Sequence, residues 1–136
     1  MKVLIAEDDP MSRMVLETRL SKWGYDVIAA EDGTRAMAIL MEDNAPSLAV
    51  LDWMMPGMDG VEICREIRKQ TERPYVYIML LTAKSQMADL LEAMEAGADD
   101  YIIKPPDKNE LKMRLRAGKR IVKLQDELRH QRHTIF

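Results

Sequence analysis

Short apolar runs alternate with segments whose apolar positions recur at helical spacing, and the alternation persists along most of the chain. That pattern separates a parallel α/β sheet from all-β or α+β folds, because a strand buried on both faces needs a helical crossover to reach its parallel neighbour. Val3-Leu4-Ile5-Ala6 is the first run. Asp9-Pro10 then offers an N-cap followed by proline at the first helical position, and Met11, Met14, Val15 and Leu20 supply a helical stripe ending near Gly24. Residues 25–30 read as a second strand. Residues 33–43 read as a helix with Met37, Leu40 and Met41 inward, and 48–51 as a third strand ending at Asp52. Asp59 and Glu62 form a capping pair for a helix to about Lys69. Residues 75–81 make the fourth strand, and Ser85 caps a helix carrying Met87, Leu90, Leu91 and Met94 that stops at Gly97. Tyr101-Ile102-Ile103 is the fifth strand, and one long helix follows from about Asp107 to around residue 130. Five such units predict a doubly wound parallel sheet with five helices, order 2-1-3-4-5, of flavodoxin-like form.

The chain's 136 residues suffice for one domain. With 47% apolar and 32% charged residues it has the composition of a folded globular protein, and its single cysteine, Cys64, rules out an internal disulfide framework. No apolar run approaches the roughly 18–20 residues that span a bilayer. A reducing, cytoplasmic setting is expected. The net charge of −3 is unevenly divided: residues 1–105 carry −8 and residues 106–136 carry +5. An acidic body argues against a nucleic-acid face there, while the basic tail leaves acidic or phosphate-bearing partners open. DNA binding itself is not expected, since no helix-turn-helix segment follows the fifth helix.

Ligands of doubly wound sheets bind at the carboxyl ends of the strands. Glu7-Asp8 follows strand one, Asp52 ends strand three, Thr82 strand four and Lys104 strand five, so in the order 2-1-3-4-5 they converge on one crevice. Carboxylates gathered there repel by about 4 kcal/mol per close pair at an effective dielectric near 20. A cation must compensate. Oxygen ligands without a His or Cys cluster favour a hard ion, Mg²⁺ above all, bound by Asp8 and Asp52. Asp52 is then placed to act as a carboxylate nucleophile toward a phosphoryl donor, with Lys104 and Thr82 spreading the developing charge.

These residues make the chain resemble the receiver domains of two-component response regulators. The resemblance covers residues 1 to about 122. It rests on Glu7-Asp8, on Leu-Asp-Trp-Met-Met-Pro-Gly-Met-Asp-Gly at 51–60, on Leu-Thr-Ala at 81–83, and on Tyr101 with Lys104-Pro105. The intervals from Asp52 to Thr82 and to Lys104 match the family's spacing of phosphoacceptor, hydroxyl and lysine. The resemblance implies that Asp52 accepts a phosphoryl group from a histidine kinase or phosphotransfer protein. It implies that Glu7, Asp8, Asp52 and the Met54 carbonyl hold Mg²⁺ or Mn²⁺, that Lys104-Pro105 is cis, and that Thr82 and Tyr101 switch together. Two variable positions, Met54 and Lys84, flank the expected path of attacking water, and bulky Met54 is expected to slow hydrolysis of the acyl phosphate. Pro106 stands where phenylalanine often follows Lys-Pro.

Other readings fare worse. A flavin carrier on the same sheet needs a phosphate cradle after strand one, where Glu7-Asp8-Asp9 would repel phosphate. A hydrolytic phosphotransferase wants a second carboxylate where Met54 stands, and the Gly-x-Gly-x-x-Gly fingerprint of dehydrogenases is missing. A phosphate-independent interaction module is the strongest rival, and the intact Asp52, Thr82 and Lys104 set argues against it. Most of the twelve methionines are expected to fill the core. His130 and His133 share a helix face without further ligands, so no metal site is expected there.

The tail has its own pattern. Ala117, Ile121, Leu124, Leu128, Gln131 and Ile135 alternate in steps of four and three, a short seam of coiled-coil type. The domain is expected to occupy 1–122, and 123–136 to extend helix five as a linker. The seam suggests a homodimer through helices four and five and the tail, or a lead into a C-terminal output domain.

Overall fold

The computed structural model describes residues 1–84 and 86–135. Five strands, β1 (Lys2–Ala6), β2 (Asp26–Ala30), β3 (Leu48–Asp52), β4 (Tyr77–Thr82) and β5 (Asp100–Ile103), pair in parallel in the order β2-β1-β3-β4-β5. Five helices, α1 (Pro10–Lys22), α2 (Gly33–Leu40), α3 (Gly60–Arg68), α4 (Met87–Ala96) and α5 (Lys108–Ile135), make the crossovers. This is the expected doubly wound, flavodoxin-like sheet.

Alternation along the strands divides the core in two. Leu4 and Ala6, Ala49 and Leu51, and Ile78 and Leu80 face α2, α3 and α4, where Ile39, Ile63, Cys64 and Ala93 meet them. Val3 and Ile5, Leu48 and Val50, and Met79 and Leu81 face α1 and α5, packing on Leu16, Leu20, Leu111 and Leu115. β3 and β4 are buried along their whole length, which explains their unbroken apolar sequence.

Helix ends follow the expected chemistry. The Asp9 side chain accepts from the Ser12 N–H, and Asp59 with Glu62 closes a reciprocal capping box. α4 has Gln86 as its N-cap without a side-chain bond; the expected cap, Ser85, lies outside the described residues. α5 passes through Gly118 without a break. A Cβ there would come within 2.7 Å of the Tyr77 ring, so the glycine serves a close approach of α5 to β4.

Three packing expectations need correction. In α1 Leu20 is buried as expected, but its inward companion is Leu16, while Met11, Met14 and Val15 are exposed. In α4 only Ala93 and Ala96 are buried, and Met87, Leu91 and Met94 face outward. Met41 caps α2 and is exposed. Eight of the twelve methionines are exposed, so the surface, and not the core, holds most of them, five on outward helix faces. The physical reason is steric: α4 lays its small side chains on the sheet, which leaves its longer ones to cover the outside. α5 also runs beyond the expected residue 130, to Ile135. Its last buried residue among those whose side chains are described is Val122, and Ile121, Leu124 and Leu128 of the seam are exposed. The side chain of Ile135 lies outside the described residues.

Candidate functional site

β1 and β3 are adjacent, so the residues at their carboxyl ends are brought side by side by sheet register alone. Glu7, Asp8 and Asp52 each offer a carboxylate oxygen, and these atoms lie within 4.8 Å of one another. Glu7 and Asp52 are buried, whereas Asp8 is exposed at the mouth. Lys104, just past β5, reaches across β4 to the same place. Its Nζ stands 2.8 Å from Asp52 Oδ2 and 3.1 Å from Glu7 Oε2.

The electrostatics follow from that crowding. Burial, reinforced by the neighbouring Asp52 carboxylate, pushes Glu7 up to about 7, against the opposing pull of Lys104. For Lys104 burial disfavours the charge, but contacts with Asp52 and Glu7 outweigh it and raise the ammonium above its ordinary value. One lysine thus serves two carboxylates. Three carboxylates around one ammonium leave negative charge uncompensated, and an all-oxygen donor set with one exposed member suits a hard divalent cation.

Thr82 is buried at the end of β4, and its Oγ1 accepts from the Lys84 N–H at 3.0 Å. Tyr101, on the neighbouring β5, is half-buried, and its hydroxyl donates to the Lys84 carbonyl. Its ring meets Trp53 edge-on, with centroids 6.4 Å apart. Burial raises the Tyr101 phenol, as does Asp89, while the Thr82 hydroxyl opposes the shift. The Lys104–Pro105 bond is cis. Met54 is 62% exposed at the rim, two residues beyond Asp52.

Several supporting contacts are seen only in the fold. Arg13 in α1 donates to the Glu7 carbonyl at 2.9 Å and so ties down the loop that carries two of the carboxylates. Lys84 lies over the Trp53 ring, 4.4 Å from its centroid. Gly60 lets the start of α3 come against the site strand: a Cβ there would meet the Asp52 carbonyl at 2.7 Å. A lone arginine or lysine gives no sequence signal for such contacts; only the run Leu-Thr-Ala-Lys beside Asp-Trp hints that Lys84 and Trp53 are neighbours across β3 and β4. Among the described residues, every buried side-chain polar atom has a hydrogen-bond partner. No helix among them is long and apolar enough to cross a membrane.

Comparison with known proteins agrees with this geometry. The chain is 47% identical over 116 residues to a protein described as "Probable transcriptional regulator ycf27" of Porphyridium aerugineum, covering 85% of this chain and 47% of that protein. A counterpart of the same description in Cyanophora paradoxa is 44% identical with the same coverage. The chain therefore spans about half the length of the curated relatives it matches. Among solved structures, the receiver domain of the Francisella response regulator 1452 superposes with a TM-score of 0.81 at 32% identity, covering 88% of this chain and 98% of that one. The chemotaxis protein CheY4 of Vibrio cholerae gives 0.77 at 28% identity, covering 85% and 96%. The profile of the response regulator receiver domain matches residues 3–116. With its sheet order, its strand-end carboxylates and these matches in accord, the chain belongs to the receiver-domain family of two-component response regulators.

Proposed function

We propose that the protein is a phosphoacceptor switch, in which Asp52 takes a phosphoryl group from a sensor histidine kinase or a phosphotransfer protein. The contact of the Lys104 ammonium with Asp52, at 2.8 Å inside a ring of carboxylates, is the observation that carries this reading. Glu7, Asp8, Asp52 and the Met54 carbonyl are the groups that would hold Mg²⁺ or Mn²⁺. The bound cation would neutralise carboxylate charge and stabilise phosphoryl oxygens.

An Asp52 carboxylate oxygen attacks phosphorus, the bond from phosphorus to the donor breaks, and the donor group leaves with the electron pair. Lys104 keeps its proton throughout and shifts its hydrogen bond to the transferred group, while the Thr82 hydroxyl donates a second. Turning Thr82 toward the phosphoryl group changes its relation to the Lys84 segment, on which the Tyr101 hydroxyl also rests. That shared segment is the route to the surface formed by α4, β5 and α5. To invert a 1:99 population the modification must favour one state by about 5.5 kcal/mol, so these contacts act together.

Residues 1–122 constitute the switch, and residues 123–136 the linker that carries its state, in the cytoplasm, to a second copy or to an output module. Leu91, Ile103, Ile121 and Leu124 are exposed apolar residues that supply surface for a homodimer. Phosphate-independent docking is disfavoured because nothing in such a role needs Thr82 and Lys104 beside Asp52.

Incubation with Mg²⁺ and a small phosphodonor adds one phosphoryl group to the wild type and none to Asp52→Asn. Labelling that survives Asp52→Asn, or no adduct in the wild type, rejects the proposal. Sedimentation with and without fluoroberyllate then reads the dimer. Met54, exposed beside Asp52, shields the acyl phosphate from water, so Met54→Asn shortens the phosphorylated half-life severalfold; an unchanged or longer half-life counts against that role.

A further inference from the structure

The cations of α5 differ in their partners, and most have no carboxylate beside them among the described residues. Arg114 pairs with Asp100 and Glu110, and Arg129 donates to the Glu72 carbonyl. Lys112, Arg116, Lys119 and Arg120 make no ion pair with any carboxylate among the described residues. Lys112, Arg116 and Arg120 follow one another at i, i+4, a spacing at which like charges weaken a helix. An anion between them would remove that cost.

Across from these residues, the turn between α1 and β2 presents Trp23 and Tyr25, both half-buried. The two sides enclose a cleft of about 360 Å³ that no carboxylate lines, within the usual range for small-molecule sites. Lys112 Nζ lies 6.0 Å from the centroid of the Trp23 ring, and the Arg116 charge bears on the Tyr25 phenol, which burial raises. The space beside Gly24 is open, since a Cβ there would meet nothing within 4 Å, and the glycine serves the left-handed backbone of the turn, with φ 92°.

We propose that this cleft binds a nucleotide with at least two phosphates, its base against Trp23 and Tyr25 and its phosphates on Lys112, Arg116, Lys119 and Arg120. Arginine forks match phosphate oxygens, and aromatic faces receive a planar base of any sequence. Inorganic phosphate would leave both rings unused. A nucleic-acid strand needs a longer unbroken basic track, whereas Asp126 and Glu127 interrupt the cations of α5. The cleft lies by the amino ends of β1 and β2, at the opposite end of the sheet from Asp52, so occupancy does not require phosphoryl transfer.

Calorimetric titration of the 136-residue protein at about 150 mM salt compares ATP and GTP with tripolyphosphate, adenosine and a short oligothymidylate. At least one nucleotide binds with a dissociation constant below about 100 μM. Trp23→Ala weakens it about tenfold, through lost stacking. The exposed double change Arg116→Gln with Arg120→Gln weakens it by more than about tenfold, and Asp52→Asn leaves it unchanged. The proposal is overturned if neither nucleotide binds at about 1 mM, if tripolyphosphate binds as tightly, if the oligonucleotide binds more tightly than either nucleotide, or if the double variant binds like the wild type.

Discussion

The carboxyl end of the sheet and the outer side of α5 both gather like charges, and they handle them in opposite ways. At the sheet end, Glu7 and Asp52 are buried and share a single ammonium, with Asp8 at the mouth. Along α5, Lys112, Arg116, Lys119 and Arg120 stand in solvent near two aromatic rings and have no carboxylate partner among the described residues. Burial makes the difference. Solvent screens the exposed cations, whereas the buried carboxylates require a specific counter-charge, and burial together with the Asp52 carboxylate raises the affinity of Glu7 for its proton despite Lys104. Charge density becomes chemistry where desolvation makes it costly.

The contrast can be broken most severely at Lys104. Lys104→Met removes the ammonium from the reacting carboxylate and lowers the rate of phosphorylation by a small donor about 10²-fold, by analogy with loss of one transition-state donor. The same change at exposed Lys123 leaves that rate unaltered. Stopped-flow or radiolabel initial rates check both.

Stability should divide along the same line. Leu80 is fully buried in β4, and Leu80→Ala costs about 2–5 kcal/mol in denaturant unfolding. Leu124 of the seam is 59% exposed, and Leu124→Ala costs the monomer less than about 0.5 kcal/mol. A large loss at Leu124 under dilute conditions would mean that α5 depends on a partner for its own order.

A smaller effect concerns pH. Glu7 is held near 7 in the fold against an ordinary value of 4.5, so between those limits the native state binds more protons than the unfolded chain. Its contribution is favourable at low pH and is lost as pH rises through that window. Melting temperature in EDTA therefore falls from pH 5 toward pH 8 in the wild type relative to Glu7→Gln. Divalent-cation affinity moves the other way, rising with pH to about 7 as Glu7 ionises and then levelling. Calorimetry across that range tests both signs.

The sheet order and the meeting of four strand ends were legible because parallel α/β topology is tightly constrained, and Asp52 falls at a strand's carboxyl end by simple counting. Helix orientation was less legible. α1 and α4 each carry more apolar residues than one face can bury, and a periodicity that fits Met11 and Met14 fits Leu16 and Leu20 as well. The sheet selects the latter, because their positions and not their hydrophobicity bring them against β1. The Lys84–Trp53 and Arg13–Glu7 contacts escape the sequence because a long flexible side chain has many reachable partners, and only the finished fold removes the others.

Trapping the acyl phosphate tests directly whether Asp52 is the phosphoacceptor. After exposure to a small phosphodonor, borohydride reduction converts a phosphorylated aspartate to homoserine, which peptide mass mapping then locates. Homoserine is expected at position 52 alone, formed with Mg²⁺ and suppressed by EDTA. Homoserine at another carboxylate, or equal yield with and without the divalent cation, would contradict that role.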